Sequence, residues 1–129
     1  METFLKRGLF HKAISAAAVG LCLAAAAAAF LAPARAASVQ RVTVKMTEYK
    51  FRLSTNTARK GTIVFTIVNK GQLPHTFAIQ KLQKVSSLVQ PGRSTTMRVT
   101  FRKTGTYYYL CTVGAHVQYG MFGNLRVKS

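Results

Sequence analysis

Cys111, His116 and Met121 stand in one segment with the spacing Cys-x4-His-x4-Met, and His75 lies well upstream of them. A loop held by a strand at each end can fold a thiolate, an imidazole and a thioether around one ion. A second imidazole can reach the same ion from a neighbouring strand. Two imidazoles and a thiolate with a weak axial thioether form the trigonal set that suits a copper electron-transfer site. Thiolate and imidazole serve both Cu(II) and Cu(I), and the soft thioether favours Cu(I) and so raises the potential. Zinc accepts the same Cys and His donors, but a Met is a poor zinc ligand. Each residue also has a plain structural reading. A buried Cys commonly acts as a small hydrophobe, a lone His can be a satisfied core residue, and Met121 can fill the core. The joint order of all four residues favours the metal.

His11 and Cys22 complete the inventory of three His and two Cys. Both fall in a segment of different character. Lys6, Arg7 and Lys12 precede an alanine-rich apolar run from Ala13 to Leu31, which ends in Ala34-Arg35-Ala36. Small residues at 34 and 36 occupy the two positions that a signal peptidase reads. Residues 1–36 are therefore expected to be a secretory signal peptide, with residues 37–129 as the copper-binding domain, exported to the periplasm. An uncleaved N-terminal anchor is the alternative, because the run approaches the roughly 20 residues that span a bilayer. Leu21 speaks against a lipoprotein anchor at Cys22, since a small residue belongs before such a cysteine. Within 37–129 every His and Cys belongs to the candidate site, and one thiol cannot form an internal disulfide.

The chain has 129 residues, a net charge of +17 and a hydrophobic share of 49%. That is one modest domain with ample material for a core, and it is not a disordered basic tail. Asp is absent, and Glu occurs only at positions 2 and 48. Paired-carboxylate hydrolysis and carboxylate-cradled Mg²⁺ or Ca²⁺ sites are thereby excluded. Setting aside Lys6, Arg7, Lys12, Arg35 and Glu2 leaves 15 basic residues against one acidic, a net +14. With so few carboxylates to protonate, the usual source of acid unfolding is nearly missing, so composition predicts acid tolerance.

The elements that must position the four residues read as short strands. From Val39 onward Gly, Pro and Asn punctuate runs rich in Val, Ile, Thr, Tyr and Phe, and no apolar period of 3.6 persists. Val42, Val44 and Met46 alternate with polar residues, as do Met97, Val99 and Phe101, so each run buries one face. Both Met46 and Met97 belong to the core on this pattern. Thr62–Val68 and Thr106–Leu110 are apolar or aromatic on both faces, which predicts central strands. Turns are expected at Asn69-Lys70-Gly71, Pro91-Gly92 and Thr104-Gly105. The fold class is all-β, an antiparallel sandwich of about seven or eight strands.

The segments Asn69-x-Gly71-x-x-Pro74-His75-x-Phe77-x-Ile79 and Gly105-Thr-Tyr107-Tyr-Tyr109-x-Cys111-x4-His116-x4-Met121-x-Gly123 resemble the cupredoxin family of small type 1 blue copper proteins. The resemblance covers residues 60–128 well and the preceding strands loosely. The ligand loop is most similar to the rusticyanin and sulfocyanin type, and Pro74-His75 is similar to plastocyanin. The resemblance implies a Greek-key β-sandwich and one copper ion held by His75, Cys111, His116 and Met121. It also implies that His116, flanked by Gly114, Ala115, Val117, Tyr119 and Phe122, is the port through which electrons enter and leave. Thr76 and Thr112 are expected to bridge the two ligand-bearing segments beside the thiolate, and Asn69 to pin the first of them.

The function expected is that of a monomeric electron carrier outside the cytoplasm, with no catalysis of its own. A binuclear copper centre needs two Cys in the loop, and multicopper oxidases need more His and further domains. The alternative is copper binding for resistance or delivery, although no Met-rich or His-rich tract favours it. The charge is expected to select acidic redox partners such as a cytochrome or an oxidase. It also suits an anionic membrane surface. Nucleic acid is not expected as a partner, since the basic residues are dispersed and no nucleic-acid motif occurs.

Overall fold

The computed structural model describes residues 38–129; the signal peptide expected over residues 1–36, with His11 and Cys22, lies outside them. Nine strands form two sheets: β1 (Gln40–Thr47), β2 (Lys50–Leu53), β3 (Thr57–Arg59), β4 (Gly61–Asn69), β5 (Ala78–Ile79), β6 (Lys84–Val85), β7 (Ser94–Phe101), β8 (Gly105–Leu110) and β9 (Phe122–Lys128). A single 3-10 turn, Gln80–Leu82, joins β5 to β6. One sheet has the order β2-β1-β4-β7 and the other β3-β9-β8-β5-β6.

The alternation read from the sequence decides which faces meet. Val42, Val44 and Met46 of β1, Met97, Val99 and Phe101 of β7, and Leu125 and Val127 of β9 are all buried, while the residues between them are exposed or half-buried. The two segments apolar on both faces form β4 and β8, two of the five strands that have a neighbour on either side. The β-sandwich expected from the sequence is the architecture found, but it has nine strands rather than seven or eight, and its sheets are mixed rather than antiparallel, with two pairs of strands that run parallel. β1 lies parallel to β4, with Val42 opposite Phe65, and β3 lies parallel to β9, with Thr57 opposite Arg126. Parallel neighbours require crossover connections, and here the chain makes them by passing from one sheet to the other.

Aromatic rings fill the space between the sheets. Phe77 sits between Phe51 at 5.4 Å, Phe65 at 5.3 Å and Tyr109 at 5.3 Å, and Phe101 meets Tyr107 edge-on at 4.8 Å. Such offset and edge contacts add about 0.5–1.5 kcal/mol each beyond the area they bury. Phe77 lies two residues beyond His75 and Tyr109 two residues before Cys111. The packed rings therefore fix the two backbone segments from which the candidate ligands project.

Candidate metal centre

His75 lies just before β5, in a segment tied to Val89 by reciprocal backbone hydrogen bonds, His75 N–H to Val89 C=O at 3.1 Å and Val89 N–H to His75 C=O at 2.8 Å. Cys111, His116 and Met121 lie on the connection from β8 to β9. The Cys111 N–H donates to the Met121 carbonyl at 3.1 Å, and the Met121 N–H donates to the His116 carbonyl at 3.1 Å. Overlapping turns between them, with the Gly120 N–H on Val117 C=O at 3.0 Å, curl the loop tightly. Gly114 and Gly120 take φ of +44° and +94° in these turns, a region that glycine enters without penalty.

This folding brings three donor atoms together. Nδ1 of His75 lies 3.1 Å from Nδ1 of His116, and Sγ of Cys111 lies 3.5 Å from the latter and 4.0 Å from the former. A point equidistant from three atoms so spaced lies about 2 Å from each, close to the length of metal bonds to imidazole and thiolate. The donor set therefore fits one small ion of the copper or zinc class. Among the described residues it is the one group of three or more His, Cys, Asp or Glu side chains placed to hold a metal. His75, Cys111 and Met121 have no exposed surface, whereas His116 is half-buried. Met121 is fully buried in the core, and its backbone bonds tie it to Cys111 and His116.

The surrounding hydrogen bonds match the sequence expectation. The Thr112 N–H donates to Oγ1 of Thr76 at 2.9 Å, and the two hydroxyls lie 2.8 Å apart, so the ligand-bearing segments are joined side by side. The Thr76 N–H points at Sγ of Cys111 at 3.5 Å, a donor that stabilises thiolate charge. Asn69 is fully buried; its amide donates to the carbonyls of Leu73 at 2.7 Å and Val89 at 2.8 Å, while its Oδ1 accepts the Gly71 N–H at 2.9 Å. It holds the loop ahead of His75 as expected.

Two residues of the site escape sequence reasoning. Glu48, in the two-residue turn between β1 and β2, accepts the N–H groups of Gln72 at 2.6 Å and Leu73 at 2.8 Å on Oε1. The same oxygen lies 3.4 Å from Nε2 of His75. Leu73's N–H above all, then that of Gln72, holds the Glu48 carboxyl down to about 2. Tyr49, next in the turn, sets its ring 5.1 Å from that of His116 and 4.8 Å from that of Tyr119. The available signal was compositional: Glu48 is the one acidic side chain of residues 38–129.

Burial adds one acid-sensitive group that composition does not reveal. Desolvation, opposed by Glu48, lowers the His75 pKa below its ordinary 6.5. In the metal-free protein the unfolded chain therefore takes up a proton near pH 6.5 that the folded chain refuses. The contribution of His75 to stability is full above that pH and declines as pH falls from 6.5 toward the folded pKa. Urea midpoints of the metal-free protein should drop between pH 7.5 and pH 5; equal midpoints would remove His75 as the sensitive group.

Comparison with known proteins places this geometry in context. The family model of the cupredoxin-like domain matches residues 20–124. A search of curated proteins by sequence finds no match. Among solved structures, the chain is similar to dithionite-reduced auracyanin from the photosynthetic bacterium Roseiflexus castenholzii, at 21% identity over 70% of this chain and 98% of that one, with a TM-score of 0.59. It is similar to auracyanin B at 17% identity over 70% and 89%, with a TM-score of 0.58. It is also similar to the periplasmic domain of subunit II of cytochrome oxidase from Bradyrhizobium japonicum, at 14% identity over 70% and 84%, with a TM-score of 0.58. The solved structures share the fold, and the family model covers most of the sequence: the chain belongs to the cupredoxin-like domain family.

Proposed function

We propose that the protein is an electron carrier outside the cytoplasm that holds one type 1 copper on His75, Cys111, His116 and Met121. The observation that carries this reading is the triangle of two Nδ1 atoms and one Sγ, sized for a single small ion and closed off from water on the Cys111 side. Copper, when bound there, supplies a one-electron Cu(II)/Cu(I) couple. The chain supplies a rigid frame, since the donors sit on segments that run into strands packed by aromatic rings and are joined through Thr76 and Thr112. His116 is the donor nearest the surface, and Tyr119, 64% exposed, stands near it on the loop, both against the ring of Tyr49. A small apolar surface around the port suits brief docking, and the net +14 of residues 37–129 favours acidic redox partners, with faster encounter at low ionic strength. The leader-like residues 1–36 support export to the periplasm.

Cu(II) added to purified 37–129 should give an intense thiolate-to-copper absorption band with narrow copper hyperfine splitting, reversible on reduction and reoxidation. A colourless complex, or oxidation of the thiol, would turn the reading to copper delivery or resistance. Met121→Gln should lower the reduction potential, because an amide oxygen is a harder donor than a thioether and favours Cu(II). An unchanged potential in voltammetry would remove Met121 as the axial ligand.

A further inference from the structure

The one acidic side chain of residues 38–129 faces fifteen Lys and Arg, yet among the described residues its sole ionisable partner within 4.0 Å is His75. A carboxylate kept for surface charge would be expected to meet one of those cations. Instead, one oxygen of Glu48 accepts two backbone N–H groups of the loop Gly71–Leu73 and faces the rear nitrogen of a candidate ligand.

Two further features show that the fold is shaped around this contact. Gly71 is buried, and a Cβ there would overlap the Glu48 carboxylate, lying 2.8 Å from both its Cδ and its Oε2. Only a glycine leaves the notch in which the carboxylate sits. Tyr49 holds a left-handed φ of +40°, which bulky residues rarely adopt. That conformation lets the turn aim Glu48 at His75 while the Tyr49 ring bears on His116.

We propose that Glu48 is a positioning residue for the metal centre, fixing the ring and tautomer of His75 so that Nδ1 presents its lone pair to the other donors. A neutral imidazole has one N–H. With the carboxylate behind the ring, the proton stays on Nε2 and Nδ1 is left bare toward Cys111 and His116. The negative charge also makes the imidazole a stronger donor, which favours Cu(II) over Cu(I). The second effect rests on the copper reading; the first does not, because the tautomer exists without metal.

The test uses the wild-type protein with Glu48→Ala, Glu48→Gln and Gly71→Ala. In the metal-free proteins, long-range ¹H–¹⁵N spectra read the His75 tautomer. Wild type should show Nε2–H alone, and Glu48→Ala and Gly71→Ala should show a mixture, the latter although its carboxylate is intact. Glu48→Gln, whose amide oxygen still accepts a hydrogen bond, should retain the wild-type tautomer. In the copper-loaded proteins, Glu48→Ala should bind Cu(II) about 10- to 100-fold more weakly. Glu48→Gln should raise the potential by about 59 mV for each tenfold by which Cu(II) affinity falls beyond that for Cu(I). An unchanged tautomer in Glu48→Ala, or an unchanged potential in Glu48→Gln if Glu48→Ala does not fold, would overturn the proposal. A wild-type protein that forms no blue site would instead overturn the copper reading, and the tautomer spectra would still decide the role of Glu48.

Discussion

Cys111→Ser is expected to abolish the visible band of the copper-loaded protein while leaving the metal-free fold in place. Sγ is the atom that the other two donors approach, 3.5 Å from one imidazole and 4.0 Å from the other, and it has no exposed surface. The band arises from electron transfer out of a sulfur orbital, so an alcohol oxygen in the same position cannot supply it. A serine hydroxyl at neutral pH is also a protonated, hard donor, poorly matched to Cu(I). The fold should tolerate the change. The hydroxyl replaces a group of similar shape beside the Thr76 N–H and Nδ1 of His116, which offer it partners. Burial of a hydroxyl costs about 1–3 kcal/mol in protein mutational data, and these partners offset part of it. Cu(II) titration followed in the visible range, together with urea unfolding of the metal-free variant, separates the two effects. Retention of the band would mean that the thiolate is not a ligand.

Gly123→Ala should produce the largest loss of stability from a single added methyl group. Gly123 in β9 lies directly opposite Tyr109 in β8, and the tyrosine ring lies across it. A Cβ at 123 would come within 2.6 Å of Cζ and 2.7 Å of Cε2 of that ring. The ring has little freedom to yield, because Phe77 at 5.3 Å and Phe51 at 5.5 Å pack against it. Overpacking of this kind costs about 1–3 kcal/mol. A lower urea midpoint with an unchanged slope would register it. Tyr109→Leu in the same chain should recover part of the loss, since a smaller side chain makes room for the methyl group. Full additivity of the two changes would show that ring and glycine do not press on one another. Gly61, with open space around its Cβ position, offers a poor control because its φ of +133° introduces strain of its own.

The parts of this molecule legible in the sequence are those carried by local pattern. Alternation along 42–46 and 97–101 told which residues face inward, because side chains of a strand point to opposite faces with a period of two. The spacing from Cys111 to Met121 revealed one loop, and the adjacency of Thr76 to His75 and of Thr112 to Cys111 foretold the bridge between them. Partner choice between strands was not legible. Alternation is the same whether Val42 lies beside Phe65 in a parallel pair or beside some other residue in an antiparallel one, so the mixed sheets became visible only in three dimensions. Glu48 was hidden for a related reason. It lies far from His75 in sequence, in a turn with neither glycine nor asparagine, and Tyr49 carries the positive φ that sequence rules reserve for smaller residues. The notch at Gly71 reads as an ordinary turn glycine until the carboxylate that fills it is seen.

The parallel pairing of β3 with β9 also bears on how the chain is made. β3 is three residues long and forms a ladder with no other strand, with Thr57, Ala58 and Arg59 facing Arg126, Val127 and Lys128. During synthesis from the N-terminus it emerges long before its neighbour. β8 also pairs with β9 along one edge. Until Phe122–Lys128 has emerged from the ribosome, β3 and β8 lack their shared neighbour and the loop from Cys111 to Met121 lacks its second anchor. Topologies that join such distant segments fold slowly, commonly in milliseconds to seconds. A nascent chain of this design therefore cannot complete its second sheet, or fix the loop from Cys111 to Met121, before β9 has emerged.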